Sequence, residues 1–359
     1  MAVLFMDSFS GYATADLPTR WVGNAPSGAS IVNTPLPPNS QVGAQVLSIL
    51  NNFQGLTGNN YGALTRLVMG FRCYKAQVTG SIAYAIHQIG VGSYGLPCGL
   101  VADALGTYIV NGSNTVLATG PIIPINEWHH YELDFTFSIT GGAVLKVYLD
   151  GNPVPFISVS GVNTSFVQAE SFSIGGQGPS SSGLNGLQAY FADFYAFSGA
   201  GSAPENAALA TQTLGGQKLG APKMAFTVPN GPGRISNWAA NGAGTIWQCI
   251  DQIPQDGDTT YASSSTVNNA FMVTLGAVPV MSTLIAVQVS NYAREDDAGP
   301  RSYQSGFGNG ASESYSGVDQ FLGGSYNYIQ DEYPLNPVTG VQWVPGDLAA
   351  LQVGLKLTN

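Results

Sequence analysis

Residues 126–154 read NEWHHYELDFTFSITGGAVLKVYLDGNPV. From Tyr131 to Ile139, the apolar residues Tyr131, Leu133, Phe135, Phe137 and Ile139 alternate with Glu132, Asp134, Thr136 and Ser138. A period of two is that of a strand with one apolar and one polar face. Thr140-Gly141-Gly142 reads as a turn and Ala143–Leu149 as a second strand. Asp150-Gly151 closes that strand as a type I′ turn pair. Two consecutive half-polar strands predict an antiparallel sheet covered on one side, hence a β-sandwich and not a parallel α/β sheet.

Strand signals continue on both sides of this segment, at 65–74, 81–86 and 107–110 before it and at 171–175 and 187–197 after it. The composition agrees. Gly accounts for 46 of 359 residues and charged side chains for 9%, against about 25% charged in average domains. A mainly helical protein is excluded on that ground, because exposed helix faces are built from Glu, Lys, Arg and Gln. Acidic residues number 21 against 11 basic ones, giving a net charge of −10. With no run of Lys or Arg, no basic face is available for nucleic acid. No apolar stretch is long enough to span a membrane. The opening MAVLFMDSFSGYATADLP lacks the basic and long apolar regions of a signal peptide, so a protein that accumulates in a cytoplasm is expected. Cys73, Cys98 and Cys249 do not form a disulfide framework and are expected to be reduced.

The expected fold class is all-β, with two antiparallel, jelly-roll-like β-sandwich domains. Residues 1–198 form the first and 199–217, rich in Gly, Ser and Ala, the connection. Residues 218–359 form the second, with strands at 221–228, 273–275, 284–291, 342–344 and 349–357. The Gly/Ser/Tyr-rich stretch 302–327 reads as exposed loops.

Trp128, the alternating strand to Ile139, Gly141-Gly142 and Val147-Tyr148-Leu149-Asp150-Gly151 resemble the laminin G and concanavalin A-like sandwich superfamily. The opening LFMDSFSGYATADLPTRW (4–21) and Asp193-Phe194-Tyr195 are similar to the first and last landmarks of such domains in tailed-bacteriophage virion proteins. The resemblance covers residues 1–198 and places Trp128 in the core. In the second domain, 249–251, 256–266 and 285–299 are similar to a recurrent phage virion module that folds as a second sandwich. The resemblance implies a virion protein made in a host cytoplasm. Its expected partners are other virion structural proteins, further copies of itself in an assembly, and a host surface glycan.

Concanavalin A-like glucanases use two carboxylates on one strand. Glu132 and Asp134, two apart, share a face, but no third carboxylate follows at Thr136 or Ser138, and a solvated strand face is expected. His129 and His130 point to opposite faces, which argues against a shared zinc ion. His87 reads as a structural residue. Asp251, Asp256 and Asp258 are candidate calcium ligands, with a turn capped by aspartates as the alternative. Tyr303, Phe307, Tyr315, Tyr326 and Tyr328 are candidate interaction residues, since Tyr in Gly/Ser-rich loops makes adaptable contacts, with local packing on the sandwich as the alternative. The expected function is therefore a non-enzymatic structural component of a phage particle, in the tail, neck, head decoration or fibre. A carbohydrate-binding host-attachment protein is the alternative, and a glycan-degrading enzyme the second.

Overall fold

The computed structural model describes residues 3–21, 29–41, 44–50, 56–57, 61–77, 84–91, 95–102, 106–113, 115–176, 188–198 and 222–359. The chain is all-β, and its paired strands run antiparallel. It divides into two compact units: Met1–Ser10 with Trp21–Met224, and Gly11–Arg20 with Ala225–Asn359. The expected connection, 199–217, lies outside the described residues.

The first unit carries β1 (Val3–Asp7), β2 (Ala29–Val32), β3 (Val46–Leu50), β4 (Leu56–Thr57), β5 (Arg66–Gln77), β6 (Tyr84–Val91), β7 (Gly95–Ala102), β8 (Thr107–Asn111), β9 (Val116–Gly120), β10 (Trp128–Thr136), β11 (Ala143–Leu149), β12 (Ile157–Val162), β13 (Ser171–Gly176) and β14 (Gln188–Ser198). An eight-stranded sheet runs β12-β11-β10-β5-β14-β3-β2, with β1 also on β14, and a six-stranded sheet runs β4-β13-β6-β7-β8-β9. As the alternation predicts, Tyr131, Leu133 and Phe135 are buried, each such side chain contributing roughly 1.5–3 kcal/mol when fully buried. Asp150 and Gly151 both have positive φ, 51° and 71°, as the type I′ reading requires. Aromatic rings join the two sheets: Phe172 of β13 packs 5.1 Å from Phe194 of β14, with Trp21 5.2 Å from Phe194. The Trp21 indole donates to the buried Asp7 carboxylate at 2.8 Å. All three cysteines are buried and unbridged, and burial pushes the Cys73 thiol up to about 12.

The second unit carries β15 (Pro229–Ser236), β16 (Ala239–Asn241), β17 (Tyr261–Ser263), β18 (Ala270–Leu275), β19 (Val287–Ala293), β20 (Ser302–Gly308), β21 (Glu313–Tyr315), β22 (Gln320–Phe321), β23 (Asn327–Tyr333) and β24 (Gln352–Leu357). Its main sheet runs β15-β18-β24-β20-β21 with β22 on β20, beside the ribbons β16-β17 and β19-β23. One core gathers Phe307, Trp343 and Leu351 against Val287, Val289 and Tyr333 of the β19-β23 ribbon.

Here the sequence expectations need correction. The strand expected at 221–228 lies instead at β15, in the Pro- and Gly-rich run 229–236. As an edge strand it tolerates proline, and a Cβ at Gly233 would press on the backbone of Met272. The stretch 302–327 is not loop throughout. It holds β20, β21 and β22, and β20 is almost wholly buried; at its Gly306 the Met272 side chain and the Tyr315 ring take the space a Cβ would need. The segment Gly11–Arg20 also packs within the second unit. The Arg20 guanidinium lies 4.1 Å from the Tyr12 ring centre and 5.2 Å from that of Tyr328, and it donates to Ser290 Oγ at 3.0 Å. Among the described residues, no helix is long and apolar enough to cross a membrane.

Candidate functional site: the polar face of the eight-stranded sheet

Directly paired residues of antiparallel strands share a face. Opposite the core face, the eight-stranded sheet therefore presents rows that run across its strands. One row pairs Trp128 of β10 with Tyr74 of β5, Tyr74 with Tyr190 of β14, Tyr190 with Ser48 of β3, and Ser48 with Ser30 of β2. Its three rings touch in sequence: Tyr74 and Trp128 are 5.7 Å apart and Tyr74 and Tyr190 5.8 Å. All three rings are partly exposed. The Trp128 Nε1–H is buried with no acceptor among the described residues.

Trp128 is thus not in the sandwich core, contrary to what the resemblance implied. β10 pairs with β5 without a bulge from Trp128 to Thr136, so strict alternation puts Trp128 with His130, Glu132 and Asp134.

The next rows are His130–Arg72–Ala192 and Glu132–Gly70–Tyr195. A bulge between Ala192 and Tyr195, with Asp193 at φ 52°, re-aims the end of β14. The Tyr195 ring then crosses β5 above Gly70, where a Cβ would overlap it. Its hydroxyl donates to Glu132 Oε2 at 2.6 Å and lies 3.4 Å from His130 Nε2. Glu132 and Tyr195 are 1% and 3% exposed. Burial, reinforced by the Glu132 carboxylate, raises the Tyr195 phenol well above its ordinary value and holds it protonated.

Two ion pairs flank this row. Arg66 grips Asp134 with both fork nitrogens, Nε to Oδ1 at 2.8 Å and Nη2 to Oδ2 at 2.9 Å. Arg72 Nε lies 2.8 Å from Asp193 Oδ2, and the Met224 N–H donates to Asp193 Oδ1 at 3.1 Å. Burial raises both aspartates, and the arginines pull them back only in part.

Glu132 and Asp134 do share one face, as their spacing predicts. That face is not solvated at their positions: Tyr195 reaches Glu132 from β14, and Arg66 of the neighbouring β5 grips Asp134. His129 and His130 do point apart. His129 Nδ1 lies 2.8 Å from Asp150 Oδ2, while His130 faces Tyr195. The side chain of His87 lies outside those described. Reading β10 alone missed Arg66, Arg72, Asp193 and Tyr195. The signal for Arg66 and Arg72 is their even spacing about Gly70 in β5, which sets them on the face of Glu132 and Asp134.

The expected interaction residues belong to the second unit. Tyr303 and Phe307 are core residues of β20, and Phe307 packs 4.4 Å from Tyr333. Tyr328 is buried beside Arg20 and Tyr12. Tyr315 lies under the Lys356 ammonium, 4.7 Å from it. Tyr326 stacks on Tyr292 at 4.8 Å. Of the proposed calcium ligands, Asp256 accepts from the Thr260 N–H at 3.2 Å and Oγ1 at 2.9 Å, capping its turn. Asp258 accepts from Arg294 Nη2 and Tyr326 OH, both at 2.8 Å, and Asp251 is partly buried. Among the described residues no three His, Cys, Asp or Glu side chains gather as metal ligands.

No protein family and no curated relative matches the chain. It is similar to several solved structures. The endo-β-1,4-glucuronan lyase of Trichoderma reesei aligns with 14% identity and a TM-score of 0.40, over 54% of this chain and 94% of that one. The alginate lyase of Aplysia kurodai aligns with 10% identity and a TM-score of 0.38, over 55% and 99%. The Trypanosoma rangeli sialidase aligns with 14% identity and a TM-score of 0.30, over 48% and 30%. The expectation that the chain is not an enzyme is withdrawn on this comparison, since the similar structures include lyases.

Proposed function

We propose that this chain is a carbohydrate-binding, glycan-active β-sandwich whose ligand lies on the polar face of the eight-stranded sheet. The observation that carries this reading is the contiguous ring ladder Trp128–Tyr74–Tyr190. Flat, partly exposed rings present apolar surface with a polar edge, which suits the C–H faces and hydroxyls of pyranose rings. In the rows behind the ladder, the protonated Tyr195 phenol, the Glu132 carboxylate and His130 form a connected set able to hold and pass a proton. The resemblance of residues 1–198 to virion proteins supports a host-surface glycan as the ligand, in an attachment role.

The test is the tryptophan fluorescence of the full chain, titrated with soluble polysaccharides while reducing ends are followed. A saturable change that disappears in Trp128→Phe is expected, with any release of reducing ends abolished in Tyr195→Phe. A panel that leaves the fluorescence of the folded protein unchanged overturns the reading.

A further inference from the structure

We infer that the glycan this face takes is an uncharged polysaccharide lying across the strands. The inference rests on the carbohydrate reading above and narrows it. From β10 to β2, the row Trp128, Tyr74, Tyr190, Ser48, Ser30 holds three aromatic rings and two hydroxyls in register and no charged side chain. Strands lie about 4.8 Å apart, so five strands span roughly 19 Å, the length of a few pyranose units. A chain laid along that row meets the three partly exposed rings and, beyond the buried Ser48, the partly exposed Ser30.

The charges behind the row are balanced. Arg66, Arg72 and Lys146 share the face with Glu132, Asp134 and Asp193, three against three. Both guanidinium groups already bind carboxylates of the protein, Arg66 on Asp134 and Arg72 on Asp193. A polyuronate would have to displace Asp134 or Asp193 from its arginine and leave that buried carboxylate uncompensated, a strongly unfavourable exchange. It would also approach a chain of net charge −10, against long-range repulsion. A neutral sugar meets neither obstacle.

The experiment is affinity electrophoresis and calorimetry of the full chain with laminarin, dextran and galactomannan, and with alginate and polygalacturonate. Each is run at about 0.05 M and about 0.5 M NaCl, where screening differs severalfold. At least one neutral polymer should bind, with Kd changing less than about twofold between the two salts, as expected without an ionic contribution. Trp128→Ala and Tyr190→Ser, at opposite ends of the ladder, should each weaken that binding about tenfold or more, equivalent to ~1.4 kcal/mol. Having two variants keeps the test independent of the folding of either. Binding to the uronate polymers alone, collapsing at high salt, overturns the inference and leaves the carbohydrate reading standing. Neutral-polymer binding that is indifferent to both variants overturns the placement on the row. Binding to none of the five overturns both readings.

Discussion

Tyr195 donates to Glu132 across an intervening strand, and Gly70 is the residue over which its ring passes. β14 and β10 both pair with β5 and not with each other. The bond therefore depends on an absent side chain as much as on the two partners. Gly70→Ala should push the Tyr195 ring aside, combining overpacking of about 1–3 kcal/mol with the loss of a charge-assisted hydrogen bond of about 1.5–3 kcal/mol. Tyr195→Phe removes only the bond. Denaturant unfolding of the full chain should rank wild type above Tyr195→Phe and Tyr195→Phe above Gly70→Ala. Equal stability of Gly70→Ala and wild type would falsify this geometry.

Trp128 and Phe135 lie on opposite faces of one strand, and only Phe135 is in the core. Phe135→Ala should cost about 3–5 kcal/mol, the range for deleting a buried aromatic. Trp128→Ala should cost clearly less and leave the melting temperature of the full chain nearer to wild type. If Trp128→Ala matched Phe135→Ala, the face assignment would be wrong.

Glu332 of β23 has its carboxyl raised to about 7, chiefly by burial, with the Gln288 amide and Arg20 opposing and Asp331 adding to the shift. A folded-state value above the unfolded one near 4.5 means that the native state binds the extra proton. The associated stability is full below about pH 4.5 and is lost as pH rises through about 7. Measured against Glu332→Gln, wild-type stability should fall between those limits and level off above them. A difference that stays flat from acid to neutral pH would remove Glu332 from the account.

Arg20 sits over two tyrosine rings and donates to Ser290, all within the second unit. Arg20→Ala should destabilise that unit by roughly 1–3 kcal/mol, from cation–π contact and one charge-assisted bond. Arg20→Lys should recover only part of this, since an ammonium lacks the planar stacking surface. Hydrogen exchange at Asn291 and Ile329, which face each other in the β19-β23 ribbon, should speed up in the alanine variant. Unchanged exchange at both amides would show that the segment contributes nothing to the ribbon.

The sandwich was legible because its evidence is local. Alternation in 131–139, the Asp150-Gly151 turn and the low charge each reside in a few consecutive residues. The face that carries the candidate site was legible only in outline. Spacing put Glu132 and Asp134 together, but their burial depends on Arg66 and Tyr195, which reach them through strand pairings that no local pattern encodes. Trp128 was misplaced because the alternation was counted from Tyr131 and the core position taken from the resemblance. Counting two residues back from His130 gives the face observed. β15 and β20 were misread for a different reason. Glycine and proline usually mark turns, yet at Gly233 and Gly306 they mark strands approached too closely by a neighbour for a side chain to fit.

The membership of Gly11–Arg20 in the second unit sets an order of events during synthesis. Arg20 and its acceptor Ser290 are 270 positions apart. At about 5–20 residues per second, a ribosome needs roughly 14–54 seconds to make the second after the first. Through that interval Tyr12, Asp16 and Arg20 lack the strands that hold them, while β1 just before them finds its partner β14 far earlier. The decapeptide is completed by strands made some 270 residues after it. Moving it by circular permutation, or deleting it, should therefore change how fast the second unit matures before it changes how the first unit folds.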